Sequence, residues 1–441
     1  MGMNYSRDEI LQMNQDYQFF TWTPQKGSLE RMVVTGGEGC YFWDTEGKKY
    51  LDAGSQLVNL NIGYQNPKVV QAIKDQADEL CYIGPSYATE IRGRLAKKII
   101  TDIAPGMGKV LFTLGGADAN EYALRIAQGY TNRSNGNNRY KVFSQYMAYH
   151  GSTYGSSTLN GQSARGNIDP GIPGFVHFLG PWWRDHGLKF ETEEEYTEFL
   201  LKMLERQMIQ ENPEKISCLV TESMQGGGGV IEMPKGYMKG IRDLCTKYGI
   251  LMVCDEVMVG FGRTGKWFTY QHYDGVMPDM ITFAKGSTCG YTPLGGVIVS
   301  KEIAKFYDDV ALPAGLTYNS HPICCAASLA TIGVYEEEHL LDNANARGEQ
   351  LRAGMYELQK KHKCVTNARG KGLHNAFDLV GGACSMSSHI ALKNMYIDKG
   401  VIPYILPPRI VLSPPLIVTA EEIDKILEVT DEVLTFGDTL V

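Results

Sequence analysis

Apolar residues recur along this chain in two kinds of pattern. After Asn66-Pro67 they return every 3.6 residues as far as Leu80, which predicts an amphipathic helix with proline at its first position. Elsewhere they form short runs rich in β-branched residues, which are typical of strands buried on both faces. These runs cover residues 109–114, 216–220, 250–254, 280–283 and 297–299.

Helical segments separate the predicted strands. Thr192 and Glu195 predict a capping box at the start of one helix, and Gly249 ends another that begins near Pro234. Strands that alternate with helices predict an α/β fold with a mostly parallel sheet between layers of helices. Ligands of such sheets bind beyond the carboxyl ends of the strands, so polar residues at those ends are the candidates for chemistry.

The pattern changes near Leu312. A long helical region begins at His321, strand-like segments cover 372–379 and 410–412, and a final helix begins near Glu421. A chain of 441 residues exceeds one ordinary hydrophobic core, so we predict two domains. The predicted parts are residues 61–312 as the large cofactor-binding domain, with 1–60 and 313–441 as the N- and C-terminal segments of a smaller α+β domain.

The composition of the chain argues against several classes of function. The net charge is −8 and the basic residues are scattered, which argues against a nucleic-acid surface. No apolar run approaches the roughly 18 residues that a membrane helix needs. Ten cysteines without a CxxC pair predict reduced thiols, and we therefore expect a cytoplasmic protein. We expect no bound metal.

Polar or glycine residues follow several predicted strands. Gly115-Gly116 lies between a strand and a helix, where backbone amides and the helix N-terminus favour an anion such as phosphate; the alternative is an ordinary tight turn. Asp255 ends a buried strand, where a carboxylate needs a partner. That partner is either a protonated ring nitrogen or a nearby arginine such as Arg263.

Lys285 lies at another strand end, between apolar residues and Gly286. Burial lowers the pKa of a lysine and yields the free amine that a Schiff base requires. Tyr149, in Ala148-Tyr149-His150-Gly151, is an aromatic residue suited to stacking on a flat ring. Each signal alone is weak. Together, a phosphate site, a carboxylate, an aromatic ring and a buried lysine are what a protein supplies to pyridoxal phosphate.

At these residues the sequence resembles the class III, or ω-amino, aminotransferases, which have the fold type I architecture of pyridoxal-phosphate enzymes. The similarity runs from about Gly36 to the C-terminal helix. Its most specific part is Asp255 to Gly265 followed by Ala284-Lys285-Gly286. The other matching segments are Tyr41 to Asp44, Tyr149 to Ser152 and Ser413 to Leu416.

The resemblance implies roles around the cofactor ring. Lys285 forms the covalent link and moves a proton between substrate and cofactor carbons. Asp255 keeps the ring nitrogen protonated, and Tyr149 and Val257 lie on the two faces of the ring. His150 belongs to the same cofactor-binding motif as Tyr149.

The resemblance also implies contacts away from the ring. Gly116 and Ala117 bind the phosphate through their amides, although Ala117 replaces the serine that is common in the family. Thr317 reaches the phosphate from the other subunit of a homodimer or higher homo-oligomer. Glu222 lies beside the cofactor.

Other positions bear on the substrate. Gly227 and Val411 stand where relatives specific for γ-aminobutyrate or ornithine have a glutamate and an arginine, which argues against those substrates. Residues 54–63 and 76–82 most resemble taurine aminotransferases. We therefore expect a taurine-like ω-amino donor and a 2-oxo acid acceptor. Each carries an anionic group, so we expect a cation in the substrate site, for which the candidates are Arg165 and Arg409, with Trp22 as a wall.

Several alternatives remain open. The alternative donors are β-alanine, a diamine and an aryl amine, and the fold also allows a mutase, a racemase, a decarboxylase or a non-catalytic binding protein. Gly260 to Gly265 matches GxGxxG, yet Lys266-Trp267-Phe268 does not open an amphipathic helix and Lys285 replaces the expected acid. Trp267 also occupies the Ser or Thr position of a phosphate-loop NTPase. We therefore reject a dinucleotide or nucleotide site at this turn.

Overall fold

A computed structural model describes residues 5–26, 31–136, 138–162, 170–182, 189–406 and 408–441. Its strands are β1 (Val34–Glu38), β2 (Tyr41–Asp44), β3 (Lys49–Asp52), β4 (Met107–Thr113), β5 (Lys141–Gln145), β6 (Phe175–Phe178), β7 (Ile216–Glu222), β8 (Leu251–Asp255), β9 (Met280–Phe283), β10 (Gly295–Ser300), β11 (Val365–Lys371), β12 (His374–Leu379), β13 (Val401–Ile402), β14 (Tyr404–Leu406) and β15 (Arg409–Leu412). Its helices are α1 (Arg7–Tyr17), α2 (Ser55–Val58), α3 (Pro67–Glu79), α4 (Glu90–Lys98), α5 (Gly116–Asn135), α6 (Tyr154–Leu159), α7 (Glu193–Gln210), α8 (Tyr237–Tyr248), α9 (Lys301–Phe306), α10 (Pro322–Glu337), α11 (Leu340–Lys361), α12 (Met386–Asp398) and α13 (Ala420–Gly437).

A seven-stranded sheet in the order β4-β10-β9-β8-β7-β5-β6 forms the centre of the protein. Strand β10 is antiparallel to both of its neighbours, while β5 to β9 are mutually parallel. The prediction of an α/β fold with a mostly parallel sheet between helices is therefore confirmed. Strands β5 and β6 were not predicted from the sequence, because their apolar runs are short and interrupted by polar residues.

The strands of this sheet are apolar throughout because both of its faces are covered. Along β8, Val253 packs on the face covered by helix α5, and its neighbours Met252 and Cys254 pack on the opposite face. The side-chain period of two in a strand produces this alternation. Because of the same period, Asp255, two residues after Val253, also faces helix α5.

Two smaller sheets flank the central one, in the orders β1-β2-β3-β13 and β11-β12-β15-β14. Strand β13, from the C-terminal part of the chain, pairs in parallel with β3, from the N-terminal part, so both parts contribute to one sheet. Helix α10 meanwhile packs against α3 and α4. The division at residues 60 and 312 stays a prediction.

Local predictions had mixed outcomes. Thr192 caps helix α7 by accepting a hydrogen bond from the Glu195 amide at 3.2 Å, but the Glu195 carboxylate accepts from the Glu191 amide, so the reciprocal half of the capping box is wrong. The single strand expected over 372–379 is also wrong at its start. Gly372 has φ +55° and forms the turn between β11 and β12.

All ten cysteines are unpaired. Over the described residues, no helix combines the length and the apolar character needed to cross a lipid bilayer.

Helix α11 packs tightly on the turn at Gly372. A Cβ atom at Gly348 would lie 2.3 Å from the Gly372 carbonyl oxygen, whereas a Cβ atom at Gly333 of α10 meets nothing nearer than 3.9 Å. We predict that Gly348→Ala destabilises the protein by about 2 kcal/mol through overpacking. Gly333→Ala, the matched control, is expected to be neutral or stabilising because alanine favours helices. Thermal unfolding compares the two variants, and equal midpoints would contradict the packing argument.

Candidate active site

Three neighbouring strands bring polar residues into line at their carboxyl ends. Glu222 of β7 pairs in register with Asp255 of β8, and Asp255 pairs with Thr282 of β9. Lys285 follows three residues after Thr282. These residues therefore lie at one edge of the sheet, as the positions of the strand ends in the sequence predict.

Asp255 is buried and held by three donors. Its Oδ2 atom accepts hydrogen bonds from Asn120 Nδ2 at 2.8 Å and from His150 Nδ1 at 2.7 Å. Its Oδ1 atom accepts from the Val257 amide at 2.9 Å. Because no arginine is among these partners, the alternative that Arg263 neutralises Asp255 is wrong.

Asn120 was not identified from the sequence, although it holds Asp255 in place. It lies in the first turns of helix α5, on the face that Asp255 and Thr282 share. Its Oδ1 atom accepts from the Thr282 hydroxyl at 3.0 Å, and its Nδ2 atom also donates to the His150 carbonyl at 2.8 Å. These contacts fix the orientation of the amide and hence that of Asp255. The strand period predicts which face Asp255 uses but not which helix residue meets it.

Glu222 links three parts of the site. Its carboxylate accepts hydrogen bonds from the Tyr149 amide at 2.9 Å and the Gly226 amide at 2.8 Å. Burial raises the pKa of Glu222 to about 7. The side chain therefore fixes the segment that carries Tyr149 beside Asp255 and changes charge near neutral pH.

Lys285 begins a short 3₁₀ turn, Lys285–Ser287, and has φ +44°, a left-handed conformation that is strained for a residue with a side chain. Its amine has no hydrogen-bond or ion-pair partner among the described residues. Burial lowers the pKa of Lys285 to about 8, although the Asp255 and Glu222 carboxylates act in the opposite direction. This lowered pKa has the direction expected from the sequence, and the Lys285 residue stays partly accessible.

The start of helix α5 is open to an anion. Its N-cap residue is Gly115, which supplies no side-chain hydrogen bond to the first amides, and a Cβ atom there would meet nothing within 4 Å. Val257 packs against the same turn, since a Cβ atom at Gly116 would lie 2.7 Å from Val257 Cγ1. Uncapped amides at the N-terminus of a long helix suit a phosphate group. With Asp255 and Lys285 alongside, the residues present fit pyridoxal phosphate.

Comparison with known proteins identifies the family. The model of the class III aminotransferase family matches residues 23–434. The chain belongs to the class III aminotransferases. It is therefore an enzyme that uses pyridoxal phosphate and transfers amino groups.

Several relatives of this aminotransferase have named substrates. It is 39% identical to the solved taurine:2-oxoglutarate aminotransferase of Bifidobacterium kashiwanohense, in complex with pyridoxal phosphate and glutamate, with a TM-score of 0.94 and 100% of both chains covered. It is 31% identical to taurine–pyruvate aminotransferase of Bilophila wadsworthia, covering 98% of each chain. It is also 33% identical to putrescine–pyruvate aminotransferase of Pseudomonas aeruginosa, covering 96% of this chain and 93% of that one.

Three other predicted residues that the structure describes, Thr317, Trp22 and Arg409, form no hydrogen bond or ion pair with Lys285. Thr317 is exposed, and its carbonyl accepts a hydrogen bond from the Tyr82 hydroxyl at 2.8 Å. Trp22 is 65% exposed. Arg409 begins strand β15, and Arg165 lies outside the described residues. A cavity of about 530 Å³ adjoins the start of helix α5 and is lined by residues 313–316, just before Thr317.

We predict that the pKa of Lys285 sets the pH at which the apoenzyme captures its cofactor. With a pKa of about 8, the uncharged amine rises from about 10% of molecules at pH 7 to about 90% at pH 9. We therefore predict that the rate of covalent capture of pyridoxal phosphate, followed by its visible absorbance, rises about tenfold between these pH values. Lys285→Ala should abolish capture, while the exposed Lys301→Ala should not change it. A rate that stays flat across this range would contradict the lowered pKa.

Proposed function

We propose that this aminotransferase transfers the amino group of a taurine-like ω-amino donor to a 2-oxo acid, with 2-oxoglutarate favoured over pyruvate. With taurine as donor, the products are sulfoacetaldehyde and an L-amino acid. The observation that carries the proposal is the Nη edge of the Arg409 guanidinium, which has no partner among the described residues and lies on the glycine-rich segment that also contacts Tyr149. The similarity to two taurine aminotransferases supports it.

The residues around Lys285 have separable tasks. Pyridoxal phosphate supplies an aldehyde that bonds to amines and a ring that accepts an electron pair. The uncharged Lys285 Nζ acts as a general base when it takes a proton from the donor carbon. It acts as a general acid when it gives that proton to a carbon atom of the cofactor. Asp255, whose hydrogen-bond partners are neutral amides and the His150 ring, keeps its negative charge available to a protonated ring nitrogen. The tyrosine at 149 and the valine at 257 form the walls on either side.

Arg409 supplies positive charge for an anionic substrate group. Its Nε atom lies 3.3 Å from Asp378 Oδ1, an atom that also accepts from Arg369 Nη2 at 2.9 Å. Two arginines therefore share one carboxylate, which leaves a net positive charge. Arg369 is otherwise bonded to backbone carbonyls, whereas the Nη groups of Arg409 have no partner among the described residues. A free guanidinium edge suits a carboxylate or a sulfonate.

The glycine-rich segment 226–229 connects Arg409 to the centre of the site. A Cβ atom at Gly229 would lie 2.3 Å from Arg409 Nε, so the arginine lies directly on this backbone. At the other end, the Gly226 amide binds Glu222, and a Cβ atom at Gly227 would lie 2.9 Å from Tyr149 Cβ. The absent side chains let Arg409 and Tyr149 approach one short segment. Arg165 and Trp22 remain further candidates for substrate contacts.

We predict that Arg409→Gln raises KM for 2-oxoglutarate and for taurine about 10- to 100-fold, because charged hydrogen bonds are lost. Putrescine, which has no anionic group, should react at an unchanged KM in the half-reaction. Arg94→Gln, at an exposed ion pair, is the matched control.

Single-turnover loss of the cofactor band, measured over taurine, hypotaurine, β-alanine, putrescine and aryl amines, tests the donor. Taurine reacting fastest, with recovery on adding 2-oxoglutarate, is the expected result. A preference for putrescine would instead favour a diamine aminotransferase, as in the Pseudomonas aeruginosa relative.

We further propose a homodimer in which Thr317 completes the phosphate site of the partner. Thr317 lies next to exposed aromatic residues: Tyr82 and Tyr318 stack edge to face at 5.9 Å and are 39% and 56% exposed. A second copy of the chain would bury these rings. This arrangement explains why an exposed threonine belongs to the predicted cofactor site.

A mixed dimer tests the shared site. Lys285→Ala lacks the linking amine, and Thr317→Glu places a negative charge against the phosphate, so each variant alone should be inactive. Refolded together, the two chains form hybrids with one intact site, and activity should reach about a quarter of the wild-type value from the statistics of pairing. No recovery in hybrids that are shown to form would contradict a shared site.

A further inference from the structure

Arg263 is fully buried at 0% exposure, and the reaction as described makes no use of it. It lies in the turn of residues 260–265, whose glycines Gly262 and Gly265 both have φ +84°. Arg263 was one of two partners that the sequence suggested for Asp255, and the structure excludes that role. A buried guanidinium is costly unless its donors are satisfied, so its partners are informative.

All partners of this guanidinium are neutral. Its Nη1 atom donates to the carbonyl oxygens of Leu373 at 2.9 Å, Ser413 at 3.3 Å and Pro414 at 2.5 Å. Its Nη2 atom donates to Ser55 Oγ at 3.1 Å and to Asn61 Oδ1. No carboxylate forms an ion pair with Arg263 within the described ranges. The side chain therefore joins segments near residues 55–61, 373 and 413–414 to its own turn while keeping a full positive charge.

The segment 54–61 is strained. Ser55, Gln56 and Val58 have φ of +49°, +57° and +58°, a left-handed conformation that non-glycine residues rarely adopt. Such conformations persist only where the surroundings impose them. Arg263 Nη2 binds the side chain of Ser55, the first of these strained residues, and that of Asn61, three residues after the last of them.

The same segment lies against the residue that follows Lys285. A Cβ atom at Gly286 would lie 2.6 Å from Asn61 Nδ2 and 2.8 Å from Phe261 Cβ. Asn61 Nδ2 in turn donates to the Phe261 carbonyl at 3.0 Å. Arg263 therefore contacts Asn61, and Asn61 contacts Gly286, the residue that follows Lys285.

We propose that Arg263 is a positioning residue that clamps segment 54–61 against the turn of Lys285 and holds an unneutralised positive charge beside that amine. The clamp acts through geometry, because its five hydrogen bonds connect Arg263 to residues up to 208 positions away in the chain. The charge acts through space. The positive charge of Arg263 contributes to the lowered pKa of Lys285, behind the larger effect of burial.

Two substitutions separate these effects. Arg263→Lys keeps the charge but cannot span the carbonyl oxygens and the two side chains at once, whereas Arg263→Met removes both charge and hydrogen bonds. Arg139→Met is the matched control. Arg139 is another buried arginine that donates to backbone carbonyls, those of Ile216 at 3.0 Å and Gly249 at 2.6 Å, near the opposite ends of the strands.

The readouts are backbone hydrogen exchange of the peptide that spans residues 54–61 and the pH midpoint of the cofactor absorbance in the holoenzyme. Neither requires knowledge of the natural substrate, so failure here is distinguishable from failure of the taurine proposal. We expect exchange in 54–61 to be about tenfold faster in both Arg263 variants and unchanged in Arg139→Met. The pH midpoint should rise in Arg263→Met and stay near the wild-type value in Arg263→Lys.

If Arg263→Met does not fold, Ser55→Ala and Asn61→Ala each remove one hydrogen bond from the clamp and should accelerate exchange in the same peptide. Exchange in 54–61 equal to wild type, or accelerated equally in Arg139→Met, would overturn the clamp. A pH midpoint that rises as much in Arg263→Lys as in Arg263→Met would overturn the electrostatic part.

Discussion

The burial of the Lys285 amine is the constraint on which the rest of this site depends. A lysine that must be uncharged near neutral pH has to be removed from water, and in this protein burial is the largest influence on its pKa. The carboxylates of Asp255 and Glu222 raise the pKa of Lys285, so the surroundings of each carboxylate also affect the charge of the amine. Glu222 is partly protonated near pH 7, because its pKa is raised, and its negative charge is correspondingly reduced.

Asp255 differs from Glu222 in that three hydrogen bonds hold its carboxylate. Asn120, His150 and the Val257 amide satisfy the carboxylate without an arginine or lysine. Arg263 shows the complementary arrangement, a buried cation bonded to neutral oxygens. Ions that a fold buries without pairing them are characteristic of functional sites, because their fields remain available to a ligand. Here the two opposite charges act in opposite directions on the pKa of Lys285.

Much of this arrangement could be predicted from the sequence because strand ends meet at one edge of a parallel sheet. Asp255, Lys285 and Gly116 each follow an apolar run, so the fold rule alone brings them together. Asn120 could not be predicted in this way, since its contact with Asp255 joins residues 135 positions apart and depends on how helix α5 rotates over the sheet. The role of Arg263 was also missed, because its partners are backbone carbonyls, which no residue pattern reveals.

Substrate recognition was the least predictable part, since it depends on loops and on residues beyond the sheet edge. Arg409 was a candidate cation from the sequence, but its pairing with Asp378 and its contact with Gly229 follow only from the fold.

The central claim is that Lys285, among all lysines of the chain, carries the cofactor. Borohydride reduction of the holoenzyme, followed by peptide mapping with mass spectrometry, tests it directly. The account predicts a pyridoxyl-phosphate mass increment on the peptide that contains Lys285 and on no other peptide. An increment on a different lysine, or its absence from a holoenzyme that is fully active, would contradict the account.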